Sequence, residues 1–190
     1  MKHRMIAVIL AGGYAKRLWP LTLDKPKALL PIAGKPMINY VVEKLTSLDP
    51  PMSRIILSTN LKFQSQFQKW LKNSEYHDVE LMPEKSSKEE EKLGAVRALA
   101  EIVEKIGNED VLVLAGDNLF TDKLVGFLRF FYEKRAPTIA LYYTRSMSEA
   151  KRGSTVVISE SGRILEFVEK PKHPKTTLVG ACVYAFPAGI

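Results

Sequence analysis

The chain has 190 residues, 46% of them hydrophobic, and a formal net charge of +7 at pH 7. That length supports one domain-sized core without covalent staples. Cys182 is the only cysteine, which excludes an intramolecular disulfide and a cysteine metal cluster and fits a reducing compartment.

The predicted elements alternate in chain order. Met5 to Leu10 is a continuous apolar run bounded by glycines, the pattern of a buried parallel strand. Its basic and apolar opening is too short for the apolar core of a signal peptide, so a cytoplasmic protein with no membrane segment is expected. A glycine- and proline-rich loop follows, to about Lys35. Pro36 opens a helix with Met37, Tyr40, Val41 and Leu45 on its apolar face. Arg54 to Ser58 is a second strand, Gln64 to Leu71 a helix, and Val79 to Met82 a short third strand. Pro83 to Lys92 is polar and charged and reads as a loop. Leu93 to Ile106 is a helix stopped by Gly107-Asn108. Val111 to Ala115 is a further buried strand, Leu124 to Glu133 a helix with Phe127, Phe130 and Phe131 as a core stripe, and Thr138 to Tyr143 a strand. The pattern then turns β-rich. Ser154 to Ser159 and Arg163 to Val168 form a hairpin around Glu160-Ser161-Gly162, and Leu178 to Phe186 is a last strand. The expectation is a single domain over 1–190 with two lobes, 1–145 built of βα units and 146–190 β-rich.

The charge is not evenly spread. Lys2, Arg4, Lys16, Arg17, Lys25, Lys27 and Lys35 fall within the first 35 residues against one acid, Asp24. No aromatic residues interleave them for base stacking, so small phosphates are a better partner than a nucleic-acid strand. Lys2 and Lys35 read as ordinary solvated lysines. Tyr14 and Trp19 read as packing aromatics, and His3 as a lone histidine without a role.

In open α/β sheets, ligands bind beyond the carboxyl ends of the strands. Leu10-Ala11-Gly12-Gly13, Ala115-Gly116-Asp117 and Val168-Glu169-Lys170 occupy such ends. The first loop is neither a P-loop nor a dinucleotide fingerprint, for it lacks a closing Gly-Lys-Ser/Thr and a third glycine. Its parts still suit phosphate. Glycines let backbone N–H groups approach closely, Arg17 offers a planar donor fork, and Lys27 is a point charge held between Pro26 and the Leu-Leu-Pro31 turn. Asp117 suits Mg²⁺, although an isolated Gly-Asp is as readily a helix cap.

Leu-Ala-Gly-Gly, Arg17-Leu18, Pro20-Leu21-Thr22, Pro26-Lys27, Leu29-Leu30-Pro31 and Lys35-Pro36-Met37 together resemble the opening signature of the sugar-1-phosphate nucleotidylyltransferases, over Ile9 to about Tyr40. The resemblance implies a Rossmann-like three-layer α/β/α nucleotidyltransferase fold, with a mostly parallel sheet and a β-rich sugar-binding lobe. It implies transfer of a nucleoside monophosphate from a nucleoside triphosphate to a sugar 1-phosphate, with Mg²⁺, giving a nucleotide-diphospho-sugar and pyrophosphate. By position it makes Arg17 and Lys27 catalytic and Leu10, Ala11, Gly12 and Gly13 nucleotide-binding, and it turns Asp117 into a metal ligand. Lys92-Leu93-Gly94 resembles the segment whose backbone meets the base. Glu84 stands near a base-reading position, with an exposed loop acid as the plain alternative; as a carboxylate it accepts only and would favour a base edge that presents N–H groups. Glu169-Lys170-Pro171 resembles the sugar-phosphate motif, and Gly153 and Gly180 fall where relatives bring backbone near the sugar.

Two departures stand out. Relatives usually carry glycine where this chain has Ala15, so a loop path without a strongly left-handed residue is expected there. Relatives also carry a second metal-binding Asp in a later Asp-x-Gly-Thr-type segment, so the sequence to Ile190 reads as a piece of a longer enzyme. Two other functions compete: a non-catalytic, regulatory nucleotide-binding subunit of the same fold, which would tend to lose the basic loop residues retained here, and a cytidylyltransferase or molybdopterin nucleotidyltransferase, which the Pro-Leu-Thr and Glu-Lys-Pro elements disfavour. The base, the sugar and a homo-oligomeric state are left open by the sequence.

Overall fold

Met5–Leu10 forms strand β1 in a computed structural model that describes residues 4–84 and 94–189. The charged stretch 85–92 read as a loop lies outside the described residues, as do Lys2, His3 and Leu93. Contacts divide the chain into two compact units, 1–137 with 185–190, and 138–184.

In the first unit, β1 is the centre of a parallel sheet because nearly all its residues are apolar and both its faces are covered. Ile6, Ala7, Val8 and Ile9 are wholly buried. β1 is followed by a tiny hairpin of β2 (Pro31–Ile32) and β3 (Lys35–Pro36). Helix α1 (Met37–Thr46) then buries Met37, Ile38, Val41, Val42 and Leu45, one stripe at helical spacing. Pro36 sits just outside this helix with extended ψ, at its cap rather than within its first turn. Strand β4 (Arg54–Asn60) lies parallel to β1, with Val8 opposite Ile56. Helix α2 (Gln64–Lys72) leads to β5 (Val79–Glu84), parallel to β4. Helix α3 (Gly94–Ile106) buries Ala98, Ile102 and Ile106. It precedes β6 (Asp110–Ala115), which returns to the other side of β1, with Val8 opposite Val113. The order in this unit is β5-β4-β1-β6. The chain winds one way from β1 through β4 to β5 and then reverses to β6, so the switch point lies at the carboxyl ends of β1 and β6.

Two expectations change here. Strand β5 runs on through Pro83 and Glu84, which pair with Thr59 and Asn60. Proline is tolerated because β5 is the outer strand of this unit's order, where a missing ladder donor costs little. Helix α4 (Leu124–Lys134) buries Leu124, Leu128 and Phe131, whereas Phe130 is exposed and Phe127 half-buried. Core membership follows the i, i+4, i+7 stripe and not aromatic character.

The residue after α4, Arg135, adopts a left-handed conformation. Its guanidinium donates to both oxygens of Asp110 at 2.6 and 3.1 Å. The Asp110 side chain is almost wholly buried, and it also accepts from the Ala188 N–H at 2.9 Å. Thus the start of β6, the end of α4 and the residues near the chain's end are bonded to one carboxylate.

The second unit begins with β7 (Thr138–Tyr143), which the sequence pattern had grouped with the first lobe. It pairs with β10 (Leu178–Phe186), and that pairing carries it across the boundary. A single-turn helix α5 (Met147–Ala150) precedes β8 (Ser154–Ile158), and β9 (Ile164–Glu169) follows. β8 pairs antiparallel with both β9 and β10. The hairpin turn forms as expected: Gly162 has φ +79° and its N–H bonds to the Ser159 carbonyl at 2.9 Å. Among the described residues no helix is long and apolar enough to cross a membrane.

Replacing Phe131 by alanine should cost about 3–5 kcal/mol of folding stability, as for a fully buried aromatic. Phe130→Ala should cost roughly 1 kcal/mol or less. Urea unfolding of both variants checks the pair, and equal losses would contradict the assigned helix face.

Candidate functional site

The loop after β1 leaves the sheet under control of both neighbouring strands. The Ala11 N–H donates to the Ser58 carbonyl of β4 at 2.8 Å, and the Gly116 N–H beyond β6 donates to the Leu10 carbonyl at 2.9 Å. A side chain at Gly116 would press on Ala11 Cβ at 3.1 Å and on Ile9, so glycine lets the two strand ends pack together without displacing these neighbours. Gly12 is tied from below. Asn60, wholly buried at the end of β4, donates its side-chain amide to the Gly12 carbonyl at 2.8 Å and accepts from the Phe63 N–H at 3.0 Å. The sequence reading stopped this strand at Ser58 and missed Asn60. Its signal was Asn ahead of Leu61–Phe63, an N-cap pattern.

Gly12 has a second neighbour. A Cβ there would collide with the Glu84 carboxyl, whose Cδ would stand 2.9 Å away. Glu84 is therefore no exposed loop acid. It is half-buried at the end of β5, and Oε1 accepts from the Ser58 hydroxyl at 3.1 Å. Burial pushes its carboxyl pKa up, against the smaller opposing effect of the Ser58 hydrogen bond. Gly13, next along, is exposed and has open space where a side chain would be.

The expected path of the loop at Ala15 is corrected. Ala15 has φ +48° and ψ +43°, left-handed, and caps a short 3-10 turn over Lys16–Leu18. Buried Thr22 holds it there by donating its hydroxyl to the Ala15 carbonyl at 2.9 Å. Arg17 is exposed on that turn. Tyr14 packs on Phe63, ring centres 5.9 Å apart. Trp19, expected to pack, is half exposed beside the Lys16 ammonium.

A second 3-10 turn, Lys27–Leu29, carries Lys27. Lys27 Nζ lies 2.7 Å from Asp117 Oδ2, just past the end of β6, with both side chains more than a third exposed. An ion pair this exposed contributes little to stability, of order 0–1 kcal/mol. What it does is bring a cation and a carboxylate, from positions 90 apart in sequence, to the switch point beside the glycine loop. Gly94 begins α3 with φ +77°.

In the second unit, Glu169 ends β9, Lys170 follows it, and the two pair with each other, Lys170 Nζ to Glu169 Oε1 at 2.9 Å. The Lys170 hydrogen bond and charge hold the Glu169 carboxyl below its ordinary pKa. Lys170 has φ +46°, and its N–H donates to the Gly153 carbonyl at 2.9 Å. Any side chain at Gly153 would overlap Val179 of β10, and one at Gly180 would meet Ile139 at 3.0 Å. Both glycines therefore have packing reasons to lack a side chain.

A family model for nucleotidyl transferases matches residues 6–190. The chain belongs to the nucleotidyl transferase family. It is 34% identical over 184 residues to a Sulfolobus acidocaldarius protein described as a mannose-1-phosphate guanyltransferase, covering 95% of this chain and 48% of that one. It is 31% identical over 186 residues to a UTP–glucose-1-phosphate uridylyltransferase of Haloferax volcanii, covering 98% and 73%. Its fold matches, at a TM-score of 0.83 and 27% identity over 96% of this chain and 71% of the other, a Bacillus anthracis crystal structure with bound sucrose, described as a glucose-1-phosphate thymidylyltransferase. That likeness agrees with the α/β architecture and mostly parallel sheet described above. The chain thus spans about half the length of the first relative and about three quarters of the second.

A left-handed alanine costs about 1–2 kcal/mol that glycine does not incur, part of it offset by glycine's greater freedom when unfolded. Ala15→Gly should therefore raise stability, by up to about 1 kcal/mol. Thr22→Val should lower it by about as much or more, through the unpaired Ala15 carbonyl. Thermal unfolding of the two variants tests this; a destabilised Ala15→Gly would mean the turn is not held as described.

Proposed function

We propose that the chain is the core of a sugar-1-phosphate nucleotidylyltransferase, moving a nucleoside monophosphate from a nucleoside triphosphate to a sugar 1-phosphate. The observation that carries the reading is the Lys27–Asp117 pair at the switch point, 2.7 Å apart and beside the glycine loop. Its chemistry is that of a site for an anionic, metal-bearing phosphate chain. Membership in the nucleotidyl transferase family and the names of the relatives support it.

In the proposed reaction an oxygen of the sugar phosphate attacks the α-phosphorus. The bond from that phosphorus to the oxygen bridging to the β-phosphate breaks, and pyrophosphate leaves with the electron pair. The attacking phosphate is already ionised at neutral pH, so no general base is needed and catalysis is positioning with charge neutralisation. Backbone from Leu10 to Gly13 approaches the nucleotide, Arg17 grips its phosphates, and Lys27 neutralises charge at the reacting phosphate. Gly94 offers backbone to the base. Lys170 binds the sugar's phosphate and Glu169 its hydroxyls, with Gly153 and Gly180 in the surrounding backbone.

Among the described residues, no group of three or more His, Cys, Asp or Glu side chains is arranged to hold a metal. A single partly exposed carboxylate fits Mg²⁺ well, since that ion takes one or two carboxylates and completes its shell with phosphate oxygens and water. Asp117 would hold it, and Mg²⁺ would supply charge neutralisation on the triphosphate. A cytoplasmic location goes with this reading, as that compartment keeps thiols such as Cys182 reduced.

The base is read by Glu84. An ionised carboxylate only accepts, and Oε2 remains for a ligand while Oε1 is engaged by Ser58. Guanine is the base whose pairing edge presents two adjacent donors, a ring N–H and an amino group, so GTP is the favoured nucleotide.

Pyrophosphate release should require a nucleoside triphosphate, a sugar 1-phosphate and Mg²⁺ together, and should stop on chelation. Lys27→Ala should slow turnover about 10²–10³-fold, the usual loss for a group neutralising transition-state charge, with unchanged circular dichroism. Wild-type turnover in that variant would sink the assignment.

Glu84→Gln should cut kcat/KM for GTP roughly 10–100-fold and spare the other triphosphates, the worth of a hydrogen bond to a charged group. Recognition needs the ionised form, and burial raises the pKa of this carboxyl. Use of GTP should therefore fall on acidification at a higher pH than an ordinary glutamate would give, and the Gln variant should lose that dependence. A panel of four triphosphates against pH decides it; an unaltered preference would remove Glu84 from base reading.

A further inference from the structure

The first unit holds a second concave site, built from none of the residues assigned to transfer. An open cavity of about 760 Å³ lies among α1, α2, the segment after α2 and the loop at Lys25 and Leu29. Its size falls within the range of small-molecule sites.

The walls are fixed by hydrogen bonds. The Trp70 indole N–H donates to Asn39 Oδ1 at 3.0 Å, and the Tyr76 hydroxyl donates to Glu43 Oε1 at 3.1 Å. Gln66 ties α2 to the loop by donating to the Asp24 carbonyl at 2.7 Å, and Lys62, in the turn just before α2, donates to the Leu23 carbonyl. The polar tips of Trp70 and Tyr76 are thus engaged within the protein; Tyr76 is buried, and what Trp70, half-buried, offers a ligand is aromatic surface. Their rings adjoin, centres 5.7 Å apart and tilted by 36°. The lining also supplies Lys25 and Lys69, and among the described residues neither ammonium has an ion pair or side-chain hydrogen bond. Asn73 and Ser74 add neutral hydrogen-bonding groups, and among the described residues Glu75 is the only acid in the lining.

An aromatic wall, two free cations and neutral polar groups in one preformed cavity suit an anion that carries a flat ring. We infer that this cavity is a second ligand site, taking a nucleoside monophosphate with its phosphate on Lys25 and Lys69 and its base against Trp70. The site shares one segment with the transfer chemistry. Lys25 and Leu29 line the cavity, while Lys27 between them is bonded to Asp117. An occupant therefore touches the turn that carries Lys27.

The test uses the full chain with Trp19→Phe, which leaves Trp70 as the only tryptophan. Its fluorescence is titrated with AMP, GMP, UMP and CMP, and separately with inorganic phosphate and ribose 5-phosphate. At least one nucleoside monophosphate should give a saturable change that survives Arg17→Ala with Lys27→Ala. Binding should weaken about tenfold or more in Lys69→Glu, an exposed position on α2 whose charge reversal leaves the fold intact by circular dichroism. Lys25→Gln should weaken it in the same direction. Three results would overturn the inference: no saturable change with any monophosphate, a change lost in the Arg17/Lys27 variant but kept in Lys69→Glu, or equal binding of inorganic phosphate and ribose 5-phosphate, which would leave the aromatic wall without a role.

Discussion

Everything at the candidate site depends on the parallel clamping of β1 between β4 and β6. Val8 faces Ile56 on one side and Val113 on the other. With that register set, the last residue of β1, Leu10, stands level with Ala115 at the end of β6 and with Ser58 of β4, which runs on to Asn60. The hydrogen bonds from Ala11 to Ser58 and from Gly116 to Leu10 then carry the strand geometry one residue into the loops. The glycine loop, Asp117 and Glu84 are all placed by this. The apolar strands supply the energy, because β1 is buried along nearly its whole length. The chemistry comes from the residues just beyond them.

The transition from strand to loop is marked by buried polar side chains, each with work to do. Asn60 satisfies Gly12 and Phe63, Ser58 satisfies Glu84, and Thr22 satisfies Ala15. A buried polar group without a partner costs about 1–3 kcal/mol, so such residues persist where the backbone they serve has no regular ladder to join. They form a rigid floor under a loop that is itself open to solvent at Gly13 and Arg17.

Much of this was legible in the sequence. The βα alternation and the Gly162 hairpin follow from hydrophobic period and turn residues. The Lys27–Asp117 encounter did not, because it joins two loops that only the sheet order brings together. Glu84 was placed in a loop because Pro83 to Lys92 is polar and charged, whereas its backbone pairs with Asn60 at the end of an outer strand that tolerates Pro83. Phe130 was assigned to the core by its chemistry, when its place on the helix face decided otherwise. Ala15 was expected to avoid a conformation that Thr22, seven residues on, holds it in. Asn60 was missed because Ser-Thr-Asn at a strand's end resembles the start of a loop. In each case the missing information was a partner distant in sequence or a position in the sheet, which local pattern does not contain.

The Asp110 carboxylate has a consequence in time as well as in space. It accepts from Arg135, 25 residues on, and from the Ala188 N–H, 78 residues on. The first unit is therefore discontinuous, its residues 1–137 completed by 185–190 only after the whole second unit has been synthesised. A chain emerging from the ribosome can pair Asp110 with Arg135 early, which shields the charge while the inserted strands are made. The Ala188 N–H can reach that carboxylate only after the inserted unit has been made, so this contact of the first unit waits on synthesis of the second.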